Sequence, residues 1–195
     1  MNVYPPGIPD TEFIRGDVPM TKAEVRALTL SKARLRDGLR VLDIGAGTGS
    51  LSIEAALLCP RGEVTAVERA RGALELLDRN IARFGVTNVA VVAGEAPDAL
   101  AGLGIFDRIL LGGSGGRMAE LLHALPAALA PGGWVVANAI CLESAYQLLA
   151  RFRRAPWFGC DIVHVAVSRG APIGSLTRFE PLSPVWIVAA QVEGE

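Results

Sequence analysis

A chain of 195 residues with a net charge of −1 has single-domain length and is long enough to bury a core without disulfide staples. Its 19 basic residues against 20 acidic ones, with a pI near 6.2, leave no global attraction for a polyanion, which argues against a nucleic-acid partner. Hydrophobic residues at 51% and a mean hydropathy of +0.37 suit a sheet covered on both faces or a subunit interface, yet charge, Pro or Gly interrupts each apolar run before bilayer-spanning length, so no membrane association is expected.

The opening Met1-Asn2-Val3-Tyr4-Pro5 has neither a basic start nor an apolar signal core, and the expectation is a soluble cytoplasmic protein. Cys59, Cys141 and Cys160 are widely separated without metal-ligand spacing, so they read as buried free thiols and no metal is expected. The whole of 1–195 reads as one domain, with a helical extension over 1–38 and an α/β core over 39–192. In the extension, Thr21-Lys22-Ala23-Glu24 has the spacing of a capping box, the Thr21 hydroxyl accepting from the Glu24 amide and the Glu24 side chain reaching back.

The core begins with the most informative stretch. Val41 to Ile44 reads as a buried strand that runs into Gly45-Ala46-Gly47-Thr48-Gly49 and then a helix over Ser50 to Cys59, whose N-terminus points at a bound ligand. Glycines here permit a tight turn and close backbone approach to that ligand. A dinucleotide fingerprint would carry its third glycine at position 50, where Ser50 stands, and the third glycine comes one residue early at Gly49. Asp43 would repel a pyrophosphate but can face an ammonium or sulfonium charge, which points to S-adenosylmethionine. The next strand, Glu63 to Val67, closes on Glu68, placed to take both ribose hydroxyls.

Apolar Leu74, Leu77, Ile81 and Phe84 at helical spacing predict a helix over Arg71 to Phe84, ended by Gly85. A strand over Val89 to Ala93 leads to Gly94-Glu95-Ala96 at the sheet's carboxyl edge, and another over Ile105 to Leu111 leads to Gly112-Gly113-Ser114-Gly115-Gly116. Consecutive amides in that cluster can form an anion nest and leave room for a bulky planar substrate. A helix through Leu129, stopped by Pro131-Gly132-Gly133, precedes a strand over Trp134 to Ala139 and a helix over Leu142 to Arg153. Asp161 to Ser168 and Val185 to Val192 then read as an antiparallel pair at the sheet's edge, with no helix between them.

A parallel sheet finished by such a hairpin resembles class I S-adenosylmethionine-dependent methyltransferases, an α/β Rossmann-like fold with a mostly parallel seven-stranded sheet. More narrowly, Ile8-Pro9-Asp10-x-Glu12-Phe13-Ile14, Thr21-x-x-Glu24-Val25-Arg26, the Gly45 to Gly49 turn, Glu95-Ala96-Pro97-x-Ala99-Leu100, Gly112 to Gly116 and Ser168-Arg169-Gly170 resemble the decarboxylating precorrin methyltransferases of cobalamin biosynthesis. The likeness runs nearly end to end and is to the enzymes acting at carbon 15, which occur as free subunits or joined to a carbon 5 methyltransferase. It implies S-adenosylmethionine contacts at Thr21, Gly45, Ala46, Gly47, Thr48, Gly49, Glu68 and Ala96, and it suggests a homotetramer. Glu68 departs from a position that is often Asp in relatives.

A tetrapyrrole with several carboxylates calls for arginines or backbone amides at the sheet's carboxyl edge, and the substrate candidates are Ser114, Gly115, Arg117, Arg169 and Arg178. No general acid is identifiable. Rival readings are a class I methyltransferase acting on RNA or protein, a non-catalytic S-adenosylmethionine-binding subunit, and a dehydrogenase.

Overall fold

The computed structural model describes residues 6–194; Met1 to Pro5, on which the reading of no signal core rests, and Glu195 lie outside the described residues. Five strands lie parallel: β1 (Arg40–Ile44), β2 (Glu63–Glu68), β3 (Val89–Ala93), β4 (Phe106–Leu111) and β5 (Leu129–Ala139). Two more, β6 (Trp157–Val165) and β9 (Val185–Val192), complete a seven-stranded sheet of order β3-β2-β1-β4-β5-β9-β6, with β9 antiparallel to both of its neighbours. The chain order reverses between β1 and β4, and this switch point is where open α/β sheets bind ligands.

The helices α1 (Ala23–Lys32), α2 (Ser50–Leu58), α3 (Arg71–Phe84), α4 (Met118–Ala128) and α5 (Leu142–Phe152) cover both faces. In β1, Leu42 and Ile44 join the core with Leu121, Leu125, Leu148 and Phe152 of α4 and α5, whereas Val41 joins the core with Val25, Leu30, Leu51 and Ile53 of α1 and α2. This alternation is the strand period of two, and burial on both faces explains the near-continuous apolar strands. Helix α2 is buried almost all round, from Ser50 to Ala56, because the chain's N-terminal segment packs over the side that would otherwise meet water.

Several expectations need correction. Pro131-Gly132-Gly133 does not precede β5 but interrupts it, the register jumping from Phe106 opposite Leu129 to Arg108 opposite Trp134. Gly132 has φ +73°, and a Cβ on Gly133 would lie 2.8 Å from the Ala130 carbonyl, so the glycines permit a bulge rather than a stop. The final antiparallel pair forms as expected, but Ser168 belongs to a separate hairpin of β7 (Ser168–Ile173) and β8 (Leu176–Pro181) between β6 and β9. Of the cysteines, only Cys59 is buried; Cys141 is exposed and Cys160 half-buried.

Residues 6–22 are irregular apart from one 3₁₀ turn over Asp10–Glu12, and α1 is the helix of the extension. The capping box does not form. Lys22 occupies the cap position of α1 without a side-chain bond, and the Ala23 amide donates instead to Asp10 Oδ1 at 3.0 Å. Glu24 turns away to pair with Arg169, so a distant carboxylate replaces the local one.

Candidate active site

The glycine turn is built from close approach. Gly45 (φ +71°) sits where an added Cβ would come within 2.9 Å of the Gly113 backbone, so the turns after β1 and β4 touch through glycine alone. Gly49 (φ +79°) caps α2, and a Cβ there would lie 2.2 Å from Leu77 Cδ1 on α3. Glu68, at the end of β2, fastens the turn from the other side. Its carboxylate accepts from the Gly47 amide at 2.9 Å and from the Arg69 and Ala70 amides, both at 2.8 Å.

Asp43 does not face the ligand space. It is 1% exposed beneath the turn, takes a hydrogen bond from the Ser52 hydroxyl, and its Oδ1 has no partner among the described residues. Burial pushes its carboxyl up to about 6, opposed by the Ser52 hydrogen bond and reinforced by the charge of Glu68. Strand alternation explains the placement, since Asp43 points to the α2 face with Val41.

Two cavities meet over this turn. The smaller, about 410 Å³, is lined by Asp17, Glu68, Arg69, Glu95, Ala96 and the Gly112 to Gly115 turn, and it shares Val18, Pro19, Gly45, Gly47 and Gly112 with the larger. The larger, about 590 Å³, adds Thr21, Ala46, Thr48 and Ser50, an apolar wall that includes Val25, Leu51, Ile140, Val167 and Leu182, and the polar residues Arg15, Lys22 and Asn138. Their charges differ in sign. Three carboxylates and one guanidinium line the smaller cavity, and that guanidinium, Arg69, is already paired with Glu95 at 2.8 Å. Two cations and no carboxylate line the larger.

The roof over both cavities is the N-terminal segment, held by ionic contacts that sequence reasoning missed. Arg26 on α1 is fully buried, bonded to Glu54 Oε1 at 2.6 Å and Asp10 Oδ1 at 3.1 Å, and it also donates to the carbonyls of Ile8 and Thr21. Glu54 in turn accepts from the Gly7 and Ile8 amides at 2.7 and 3.0 Å. Asn80, buried on α3, bonds the Ile14 amide and carbonyl and the Thr48 carbonyl, joining roof to turn. A full donor and acceptor set of this kind compensates desolvation and fixes one geometry. The signal in the sequence was an arginine and a glutamate placed on apolar helical faces.

Of the residues expected to meet the cofactor, Gly45, Gly47, Glu68 and Ala96 line the smaller cavity, and Thr21, Gly45, Ala46, Gly47 and Thr48 line the larger; Gly49 lies beneath, as the cap of α2. Ser114 and Gly115 line the smaller cavity only. The three arginines line neither and are not gathered as a clamp. Arg117 is bonded to Asp98 at 2.7 Å and to Glu120, Arg178 on β8 to Glu180, and Arg169 on β7 to Asp10 at 2.9 Å and Glu24 at 2.6 Å. For Asp10, burial alone would raise the carboxyl, but its bonds to Arg169 and Arg26 outweigh this and hold it below the ordinary value; for Glu24 the Arg169 bond dominates in the same direction. Arg169 thus ties the β7–β8 hairpin to the roof, and the hairpin's base, Val167 and Pro181 to Ser183, walls the larger cavity.

Comparison with known proteins agrees with this architecture. The chain is 42% identical over 185 residues to a cobalt-precorrin-6B C(15)-methyltransferase (decarboxylating) of Salmonella typhimurium, covering 94% of this chain and 95% of that protein. Among solved structures, a precorrin-6Y C5,15-methyltransferase from Geobacter metallireducens superposes with a TM-score of 0.90 at 37% identity, covering 95% of this chain and 97% of the other. A precorrin 8w decarboxylase from Methanobacterium thermoautotrophicum superposes with a TM-score of 0.89 at 32% identity, covering 95% of this chain and all of that one (100%). With the precorrin methyltransferase domain matching residues 12–191, the chain belongs to that family of S-adenosylmethionine-dependent enzymes.

Proposed function

We propose that the protein methylates carbon 15 of a precorrin with S-adenosylmethionine and decarboxylates an acetate side chain of the same macrocycle, a step of cobalamin biosynthesis. The observation that carries this reading is the junction of two cavities of opposite lining charge over one glycine turn. The acidic smaller cavity suits a cationic adenosyl ligand, and the cation-bearing, largely apolar larger one suits a planar polycarboxylate.

The donor set fits the cofactor. Glu68 retains lone-pair capacity beyond its three amide bonds for ribose hydroxyls, Ala96 borders the space for the adenine, Gly45 and Gly47 face the junction, and Thr21, Ala46 and Thr48 line the larger cavity beside it. When bound, S-adenosylmethionine supplies an electrophilic methyl group on a sulfonium. The chain's own contribution is alignment, worth up to roughly 7–11 kcal/mol for well-oriented reactants. The glycine turn lets the two ligands approach at Gly45, Gly47 and Gly112, and the apolar wall excludes water from a carboxylate that is to leave as carbon dioxide. Arg169 holds the hairpin that closes this wall, while Ser114 and Gly115 offer amides on the cofactor side.

In this reading the enzyme acts in the cytoplasm as a homotetramer, beside or joined to a carbon 5 methyltransferase. Among the described residues no helix is long and apolar enough to cross a membrane. Phe158 and Ile162 on edge strand β6, and Ile173, Leu176 and Phe179 on the hairpin, are exposed apolar side chains that subunit contacts would cover. Light scattering tests the assembly. The reaction is tested by incubating the protein with S-adenosylmethionine and precorrin-6B, with and without cobalt. Mass spectrometry should show one added methylene together with loss of carbon dioxide; methyl gain alone would refute the decarboxylating role.

A further inference from the structure

We propose that Arg15 and Lys22, rather than the motif arginine Arg169, are the residues that seat the substrate's peripheral carboxylates. This rests on the reading of the larger cavity as the tetrapyrrole site. The three arginines expected at the substrate site are committed: Arg117, Arg169 and Arg178 each hold a carboxylate of their own chain. Arg15 and Lys22 line the cavity and have no ion pair or side-chain hydrogen bond among the described residues. Lys22 is half-buried and Arg15 exposed, and the cavity lining contains no carboxylate that could pair with either.

Both cations lie on the roof segment, on either side of Val18 and Pro19, which line both cavities. A carboxylate held by either would be carried on a ring lying toward the cofactor junction. Two residues of the lining also carry polar atoms that lack partners, though these atoms are turned away from the open space. Thr48, 1% exposed, has a hydroxyl without a partner, and the Asn138 amide nitrogen is buried and unbonded. Asn138 Oδ1 faces Thr29 Oγ1 at 3.0 Å, but that hydroxyl also lies 2.8 Å from the Val25 carbonyl and has one proton to give. Asn138 is therefore left with unmet hydrogen-bonding capacity whichever way its amide is turned.

The test uses uroporphyrin, a stable polycarboxylated tetrapyrrole, titrated against the full chain by Soret absorbance. Arg15→Gln and Lys22→Gln should each weaken binding about tenfold, and the double variant about a hundredfold with a flatter dependence on salt. Arg15→Lys and Lys22→Arg should restore most of the affinity. Binding of S-adenosylhomocysteine, read by calorimetry, should not change in any of them. An unchanged dissociation constant in the double variant, no binding of uroporphyrin by the unaltered protein, or a parallel loss of S-adenosylhomocysteine affinity overturns the proposal. Its failure is separable from that of the proposed activity. Methylation of precorrin with an unaltered KM in the double variant sinks the clamp and spares the reaction, and charge-dependent uroporphyrin binding without turnover does the reverse.

Discussion

Replacing Glu68 with Gln keeps the side chain's size and removes its charge, which separates two roles that the structure gives one carboxylate. Three amides point at it, from Gly47 at 2.9 Å and from Arg69 and Ala70 at 2.8 Å. The Gln oxygen can keep the Arg69 and Ala70 amides, but its NH₂ group then faces the Gly47 amide, donor against donor. A hydrogen bond to a charged acceptor is worth about 1.5–3 kcal/mol, so losing one and weakening two should destabilise the unliganded protein by about 2–4 kcal/mol. Loss of a charge-assisted bond to a ribose hydroxyl should weaken S-adenosylhomocysteine binding by a further factor of about 10 to 100. Urea denaturation reads the first effect and calorimetry the second, with Glu68→Asp expected between the extremes. An unchanged urea midpoint would refute the fastening of the turn. Lowered stability with unchanged affinity would make Glu68 structural and remove it from the cofactor site.

Gly49→Ala should cost about 1–2 kcal/mol for left-handed backbone at φ +79° plus about 1–3 kcal/mol for the clash 2.2 Å from Leu77 Cδ1. Adding Leu77→Ala should relieve the second part, so the double variant falls short of the sum in denaturant melts; strict additivity would show that the two do not touch. Asp43→Asn should stabilise the protein at pH 8 by up to about 3 kcal/mol, a gain that shrinks to nothing as pH falls below 3.8. The sign follows from a folded pKa raised to about 6: protonation favours the folded state, and that stability is present below the ordinary value of 3.8 and lost as pH rises through 6. Equal pH dependence in both proteins would show that Asp43 is not the titrating group. Arg169→Ala should free the β7–β8 hairpin, seen as faster amide exchange there. Asp10 and Glu24 are held below their ordinary values of 3.8 and 4.5, so the stability that Arg169 supplies is present above pH 4.5 and lost as pH falls below 3.8. The deficit of the variant should therefore shrink in acid, and a constant deficit would argue against the ion pairs.

The glycine turn and the acid that fastens it were legible because their signals are local. Gly45 to Gly49 and Glu68 stand at strand ends, where spacing along the chain sets spacing in space, and they come together as the strand-turn-helix pattern implies. The capping box failed for a different reason. Thr21 and Glu24 have the right separation, yet Asp10 and Arg169, 13 and 145 residues away from their partners, offer stronger charged bonds than the local hydroxyl. Arg169 was visible as a motif residue but not as a tether, since nothing in its neighbours shows which carboxylates it meets. Arg15, Lys22 and Asn138 carry no motif, and only folding of the roof over the turn brings them to one cavity.

Taken alone, the order of residues determined the alternation of strands and helices, the glycine turn with its acid at the end of β2, and membership of a methyltransferase fold, because each depends on periodicity or on backbone conformations that few residue types adopt. The tertiary structure decided which charges are spent within the chain and which stay free. Charge pairing depends on distance through space, and the partners here lie on the roof, on α2 and on the hairpin, segments that meet only once the sheet has assembled.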